Sequence, residues 1–469
     1  MSDRPHTELR TAVLGTLMPG FVGPTLPDWL GGLLDEGLGG VCLFGQNVVD
    51  REQVRALTDD IRTHRAETVI SIDEEGGDVT RLHYATGSPY PGNALLGRID
   101  DLALTEATGR WVGEELRAVG CTMTLAPDAD INSDPRNPVI GTRSFGTDPE
   151  HVARHVVAWV RGVQSAGIAS SVKHFPGHGD TAADSHLALP VVDRSLVDLR
   201  TRELVPFAAA CEAGAATVMT SHILLPQLDA ERPATMSAPI LRLLRSEFSY
   251  EGVIVSDALD MVGASGEIGI PAAAVRALAA GVDLCCIGTE NTSDQMEEIV
   301  AAVIAAVRAG DLSRTRVEQA AARVRALGSI GSTSSSGAPS YPLPTVAAAF
   351  DIRTTVPEGF SVLRLDSEAN IAVGEVPWGP FAAGLSADAV ATDSLTAVDL
   401  PEGPVVVIGR DIHRRAWATD LIDRLRAGRT VVTVEMGWPA DDRAYADIAT
   451  FGASRLVGEA LLEVLNRGQ

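Results

Sequence analysis

Side chains that could carry acid–base chemistry are concentrated in one short segment. Lys173-His-Phe-Pro-Gly-His-Gly-Asp180 follows an apolar run, and Asp184 and His186 lie a few residues further on. Core packing does not explain this density of charged and imidazole groups. Asp184 and His186, two residues apart in a loop, can form a dyad in which the carboxylate fixes the imidazole tautomer and the imidazole moves a proton near neutral pH.

The same histidines allow a second interpretation, a metal site. The segment contains a proline and two glycines, which exclude a helix, so His174 and His178 are not a zinc-binding pair one helical turn apart. A loop site is the alternative, with ligands drawn from His178, Asp180, Asp184 and His186. A metal-dependent barrel hydrolase using His174, His178, His186 and an aspartate would follow from it.

Two other apolar runs also end in carboxylates. Asp73 lies in Ser71-Ile-Asp-Glu-Glu-Gly-Gly77, which by itself is more typical of an acidic turn than of a site. Asp257 directly follows Gly252-Val-Ile-Val-Ser256, so its carboxylate is expected at a strand end. The alternative for Asp257 and Asp260 is a helix cap. We expect Asp260 to be the cap or surface residue and Asp257 the functional one.

Lysine is almost absent from the chain. Of 38 basic residues, 37 are arginine, and the single lysine is Lys173. A codon bias towards arginine explains the imbalance but not the exception. Lysine is a compact point donor, whereas arginine is a broad planar fork, so a tight pocket can require lysine. Lys173 is therefore a candidate site residue.

These residues must be positioned by a repeating pattern of strands and helices. Eight short apolar runs predict strands: Thr11–Met18, Gly40–Phe44, Thr68–Ile72, Thr122–Ala126, Ile168–Lys173, Thr217–His222, Val253–Asp257 and Asp283–Ile287. Helical patterns lie between them, at Glu52–Arg65, Asp101–Val119, His151–Ala166 and Ser293–Ala309. Eight alternating units predict a (β/α)8 TIM-type barrel, whose chemistry lies at the carboxyl ends of the strands. An open doubly wound sheet is the alternative, weakened because no GxGxxG follows the first strand.

A second, smaller domain is predicted after the barrel. The Gly/Ser/Pro-rich stretch 329–345 is typical of a linker. It would connect a catalytic barrel at 1–328 to an α/β sandwich-like domain at 346–469. In the latter, strands are expected at Ser361–Leu365, Val405–Ile408 and Val431–Val434, and helices at Ala416–Arg426 and Arg455–Leu465.

Composition excludes several classes of protein. A net charge of −24 argues against binding nucleic acid or an anionic membrane surface. Five cysteines without framework spacing are expected to be reduced and mostly buried. The chain has no run of 18 apolar residues and no signal-peptide pattern, so we expect a cytoplasmic protein.

Taken together, the motifs resemble glycoside hydrolase family 3, in its β-N-acetylglucosaminidase branch. The resemblance covers about residues 11–330 and rests on Lys173-His-Phe-Pro-Gly-His-Gly-Asp180, Asp184-Ser-His186, Ile72-Asp-Glu-Glu-Gly-Gly77 and Ser256-Asp-Ala-Leu-Asp-Met261. It implies Asp257 as nucleophile and His186 as general acid/base, oriented by Asp184. It also implies sugar binding by Asp73, Arg81, Arg143, Lys173 and His174. Ala258 stands where family members often have a second aspartate.

The resemblance implies a retaining, exo-acting enzyme that needs no metal or organic cofactor. Its substrates would be short oligosaccharides, chitooligosaccharides or muropeptides, since aromatic residues, at 4%, are too few for long stacking platforms. A neutral acid/base repels anions less than a carboxylate does, so a phosphorylase on the same scaffold is one alternative. A sugar-binding protein without catalysis is another.

Overall fold

The computed structural model describes residues 4–181, 189–327, 339–367 and 372–466. These residues form two compact units. Unit 1 comprises the described parts of Met1–Glu74, Leu102–Pro138 and Thr147–Ala338, and unit 2 those of Glu75–Asp101, Val139–Gly146 and Pro339–Gln469. Within the described residues, no helix has the length and apolar character needed to cross a bilayer.

Unit 1 contains eight short parallel strands. They are β1 (Leu17–Pro19), β2 (Gly40–Leu43), β3 (Val69–Ile72), β4 (Met123–Thr124), β5 (Ala169–Phe175), β6 (Thr217–Thr220), β7 (Val253–Val255) and β8 (Cys285–Gly288). Strands β2 to β7 pair in sequence order, and β1 pairs with β8. A bridge between Val255 and Leu284 connects β7 to β8, and β1 also contacts β2. The order is that of a (β/α)8 barrel, which confirms the predicted fold class.

Helices separate these strands. The α-helices of unit 1 are Arg4–Leu14, Asp28–Glu36, Arg51–His64, Leu102–Ala118, Pro149–Ser165, Leu196–Thr201, Leu204–Glu212, Ala238–Arg242, Val262–Ser265, Ile270–Ala280, Ser293–Ala309 and Arg314–Leu327. Local sequence sets their ends. Asp50 accepts a hydrogen bond from the Gln53 amide at the start of one helix, and Gly310 ends another in a left-handed conformation.

The first predicted strand, Thr11–Met18, is wrong over most of its length. Residues Arg4–Leu14 form a helix, and β1 covers only Leu17–Pro19. The apolar residues of this helix pack on one side, with Val13 and Leu14 fully buried. A short apolar run is compatible with either a buried helix or a strand, so periodicity alone did not separate the two.

Unit 2 has a six-stranded sheet. Its strands are β9 (Asp351–Ile352), β10 (Ser361–Leu365), β11 (Ala389–Ala391), β12 (Val405–Gly409), β13 (Val431–Glu435) and β14 (Ile448–Ala449). The order is β11-β10-β12-β13-β14-β9, parallel except for the last pair. The α-helices of this unit are Asn93–Ile99, Leu343–Ala348, Gly379–Ala382, Ala416–Arg426 and Arg455–Asn466. A second α/β domain was predicted, and the sheet confirms it.

The division of the chain differs from the predicted one at two places. Segments 75–101 and 139–146, assigned from sequence to the barrel domain, belong to unit 2. Hydrogen bonds explain the grouping. Asp78 Oδ1 accepts from the Ala453 amide at 2.8 Å, and Arg98 Nε donates to the Ala349 carbonyl at 2.6 Å.

A buried carboxylate ties β7 and β8 together within unit 1. Asp283, fully buried, accepts hydrogen bonds from Arg245 at 2.5 Å, Arg316 at 2.7 Å and Arg323 at 3.3 Å. Its Oδ2 also accepts from the Ile254 amide at 3.0 Å. One carboxylate thus accepts hydrogen bonds from three guanidinium groups.

We expect Asp283→Asn to lower the free energy of unfolding by about 3–5 kcal/mol, because it removes the only negative partner of this arginine cluster among the contacts described here. Urea unfolding followed by circular dichroism measures the change. Asp59→Asn, which removes an exposed partner of Arg55, is the matched control and should leave the midpoint unchanged. Equal midpoints for all three proteins would contradict the role given to Asp283.

Candidate active site

From the alternation of side chains along β3, β5 and β7 we infer that three charged residues belong to one layer at the carboxyl ends of these strands. Val69, Ala169 and Val253 belong to the interior cluster, and the pairing register links these strands through β4 and β6. Residues two apart on a strand share a face, and alternate strands contribute to one barrel layer. Four residues after these positions stand Asp73, just past the end of β3, Lys173, within β5, and Asp257, two residues past the end of β7.

Lys173 and Asp73 form a buried ion pair. The Lys173 ammonium donates to Asp73 Oδ1 at 2.7 Å, and only 3% of Lys173 is exposed. A buried ammonium requires a negative partner, because an unpaired charge in this environment would be strongly destabilising. The chain therefore uses its one lysine where a compact donor meets a carboxylate at the end of β3.

His174 is held by a carboxylate that the sequence analysis missed. Its Nδ1 lies 2.7 Å from Asp130 Oδ2, and Asp128 Oδ2 lies 4.0 Å from the same nitrogen. Both aspartates are fully buried. They follow the predicted strand 122–126 directly, and Asp after a strand end in a barrel was the signal that could have identified them.

The two glycines of the histidine-rich motif, Gly177 and Gly179, are required for different steric reasons. Gly177 has φ = +128°, a backbone conformation that side-chain-bearing residues rarely adopt. A Cβ at Gly179 would overlap the carbonyl oxygen of Ile131. The loop after β5 can therefore approach the segment after β4 only with glycine at position 179.

His178 is buried, and both its ring and its backbone carbonyl have hydrogen-bond partners. Its Nδ1 is 3.0 Å from Thr181 Oγ1, and Asn137 Nδ2 donates to its carbonyl at 2.8 Å. Burial, together with the charge of His174, lowers the pKa of His178 to about 4 despite the opposing effect of Asp130. His178 is therefore neutral at physiological pH.

Asp257 and Asp260 occupy different environments. Asp257 is half-buried, and its Oδ1 accepts from the Ala258 amide at 2.8 Å. Asp260 is exposed and accepts from the Thr289 amide at 3.2 Å. The next helix, Val262–Ser265, has Met261 at its N-cap with no side-chain cap, so neither aspartate caps it.

Arg81 and Arg143 belong to unit 2. Arg143 is buried and pairs with Glu75, its Nη2 donating to Glu75 Oε1 at 2.8 Å and its Nε to Oε2 at 3.0 Å. Arg81 donates from Nη2 to the Ala372 carbonyl at 2.7 Å and from Nη1 to the Val373 carbonyl at 3.2 Å. Both side chains are fixed by contacts within that unit.

Asp184 and His186 lie outside the described residues, so the predicted dyad stays a prediction. Among the described residues of unit 1, ligating atoms of Asp128, Asp130 and His174 come within 4.8 Å of one another, close enough to hold a metal ion. The short contact between Asp130 and His174 Nδ1 already accounts for this proximity as a hydrogen bond.

Comparison with known proteins identifies the family. The model of the glycosyl hydrolase family 3 N terminal domain matches residues 30–327. The chain belongs to glycoside hydrolase family 3. Its classification as a glycosidase, predicted from the motifs, is thereby confirmed.

Individual relatives within family 3 agree with this assignment. Beta-hexosaminidase A of Pseudoalteromonas piscicida is 35% identical over 312 residues, which is 61% of this chain but only 52% of that protein. A beta-hexosaminidase of Methylococcus capsulatus is 36% identical over 261 residues, 55% of this chain and 78% of its own length. The structure of a glycoside hydrolase family 3 beta-N-acetylglucosaminidase from Paenibacillus sp. str. FPU-7 has a TM-score of 0.84 and 30% identity, covering 98% of this chain and 97% of that one.

The lowered pKa of His178 predicts a pH-dependent stability. The unfolded chain takes up a proton on this imidazole near pH ~6.5, while the folded protein takes it up only near pH 4. Stability is therefore lost as the pH falls from about 6.5 towards 4. Among the residues that the structure describes, His174, Asp130 and Asp257 are titratable groups whose charges act on this ring.

We expect His178→Asn to remove this part of the pH dependence. Between pH 7.5 and pH 5, the wild-type protein should lose about 2 kcal/mol more unfolding free energy than the variant does. Urea unfolding at both pH values measures the difference. Parallel losses in the two proteins would contradict the neutral, buried state assigned to His178.

Proposed function

We propose that this family 3 glycosidase is a retaining, exo-acting β-N-acetylglucosaminidase that acts on short oligosaccharides or muropeptides. The observation that carries the proposal is the buried ion pair of Lys173 and Asp73 at the carboxyl ends of β5 and β3, together with Asp257 after the carboxyl end of β7. The ion pair offers a buried donor and a largely buried acceptor to sugar hydroxyls, and Asp257 supplies a carboxylate that can attack the anomeric carbon. The names of the relatives, beta-hexosaminidase and beta-N-acetylglucosaminidase, support the choice of sugar.

In the proposed reaction, Asp257 attacks the anomeric carbon and forms a covalent glycosyl-enzyme. His186, oriented by Asp184, protonates the departing oxygen and then removes a proton from the water that releases the sugar. Two successive inversions retain the β configuration. The histidine gives up its proton as an imidazolium and is neutral afterwards, so the same ring then serves as the base without a raised carboxyl pKa.

The binding residues in this proposal convert contacts with remote hydroxyls into alignment at the reacting carbon. Lys173 donates and Asp73 accepts, while His174 contacts a neighbouring hydroxyl. Arg81 and Arg143 are proposed to bind the sugar as well. Their hydrogen-bond partners within unit 2, the carbonyls of Ala372 and Val373 and the carboxylate of Glu75, would restrict how each guanidinium can move.

The two aspartates of Ser256-Asp-Ala-Leu-Asp260 provide a matched pair for the test. With p-nitrophenyl N-acetyl-β-glucosaminide, Asp257→Ala should lower kcat by about 10⁴-fold or more, because it removes the nucleophile. Asp260→Asn should keep wild-type kcat and KM. A wild-type rate from Asp257→Ala, or the same loss in both variants, would overturn the nucleophile assignment.

His186→Ala isolates the second half of the reaction. The p-nitrophenolate group leaves with little acid assistance, so this variant should release one equivalent rapidly and then turn over slowly. Proton NMR of the wild-type reaction should show the β anomer first. Initial release of the α anomer would exclude retention.

Two additions to the same assay separate the alternatives. A chelator should leave the rate unchanged, whereas a metal-dependent hydrolase would lose activity. Phosphate should also leave the rate unchanged and yield free N-acetylglucosamine. Dependence on phosphate, with sugar 1-phosphate as product, would instead identify a phosphorylase.

A further inference from the structure

A groove in unit 1 lies between the segment that follows β6 and the helix Ile270–Ala280. Its cavity volume is about 410 Å³, within the range of sites that hold small molecules. The residues that line it include Glu231, Arg232, Met236, Arg276, Ala279 and Ala280. None of them takes part in the proposed reaction, so the groove is a separate candidate site.

The first wall of the groove is fixed by its own hydrogen bonds. Asp229 Oδ1 accepts from the backbone amides of Glu231 at 3.1 Å and Arg232 at 3.2 Å. Further along the same segment, the Thr235 amide donates to the Ser221 carbonyl at 3.1 Å. The backbone that carries Glu231 and Arg232 is therefore held in place before any ligand binds, which lowers the entropic cost of binding.

The second wall is one face of the helix Ile270–Ala280. Ala279 and Ala280 come three and four residues after Arg276, so these three side chains lie on the same face. The short turn that ends at Met236 packs against this helix, and Met236 itself is buried. The two small alanine side chains leave space in the groove beyond Arg276, and Met236 adds apolar surface.

The groove carries more positive than negative charge, although the net charge of the chain is −24. It contains two guanidinium groups, Arg232 and Arg276, and one carboxylate, Glu231. Across the described ranges, neither guanidinium has a hydrogen bond or an ion pair, and the Glu231 carboxylate has none either. Guanidinium groups bind oxyanions through paired N–H donors, and a phosphate group carries close to the two negative charges that two arginines match.

We propose that this groove binds a small phosphate monoester that also carries hydroxyl groups. The phosphate is held by Arg232 and Arg276, and the Glu231 carboxylate accepts a hydrogen bond from a hydroxyl. Glu231 repels a second acidic group, so a monoester is favoured over a ligand with two phosphates. Both arginines are exposed, so salt screens the attraction and the affinity falls as the ionic strength rises.

Isothermal titration calorimetry of the full chain at low salt tests the site with glycerol 3-phosphate, glycerol, inorganic phosphate and succinate. Glycerol 3-phosphate should bind at one site per chain with a Kd of about 0.1–1 mM. Glycerol should give no binding heat, because it lacks the anion. Inorganic phosphate should bind about 5- to 10-fold more weakly, because it lacks the glycerol hydroxyls. No binding of glycerol 3-phosphate, or tighter binding of succinate, would overturn the proposal, and equal affinity for inorganic phosphate would overturn the role of Glu231.

Variants of the groove locate the binding. Arg232→Gln and Arg276→Gln should each raise the Kd of glycerol 3-phosphate by about 10-fold or more, because each removes a charged donor. Ala279→Glu should have a similar effect while it keeps both arginines, because a carboxylate three residues beyond Arg276 on the same helix face pairs with that guanidinium. Arg325→Gln removes an exposed arginine outside the groove and should keep the wild-type Kd. Wild-type affinity in Arg232→Gln or Arg276→Gln, or an equal loss in Arg325→Gln, would place the binding elsewhere and overturn the proposal.

Discussion

The buried ion pair between Lys173 and Asp73 is the interaction on which the rest of the site depends. It joins the carboxyl ends of β3 and β5, with β4 between them in the sheet. Loss of either partner would remove this ionic contact from a buried charge, which is destabilising. Because alternate strands of a barrel share layers, the same geometry that brings these two residues together also assigns Asp257 to their layer. The pair holds a hydrogen-bond donor and an acceptor in a fixed relation.

A second constraint acts on the loop that carries the lysine. Asp130 accepts hydrogen bonds from His174 and His178. Gly177 gives the loop its positive φ, and Gly179 lets the loop come close to the segment that carries Asp130. The density of histidines that suggests a metal site from sequence has another explanation in the structure. His174 is oriented by a carboxylate, and His178 is buried and neutral. The two rings lie 5.9 Å apart in an edge-to-face arrangement, yet they have different electrostatic surroundings.

Local patterns predicted the barrel because each strand is short, apolar and followed by a turn. They failed at Thr11–Leu14, where a buried helix has the same apolar content as a buried strand. A strand end indicated Asp257, and the rarity of lysine indicated Lys173. Asp73 came only from the family resemblance, because its acidic segment by itself is more typical of a turn. Asp128 and Asp130 were missed because Pro127-Asp-Ala-Asp130 is equally typical of a turn. The surroundings of Arg81 could not be predicted, because the carbonyls it contacts lie 291 and 292 residues further along the chain.

The central claim, that Asp257 is the nucleophile of a retaining glycosidase, is tested most directly by trapping the intermediate. A fluorinated N-acetylglucosaminyl donor with an activated leaving group slows release of the sugar more than its attachment. Peptide mapping by mass spectrometry after brief incubation should then find one sugar attached to the peptide that contains Asp257, at the aspartate itself. A modified residue elsewhere, or turnover of the donor with no covalent adduct, would contradict the account.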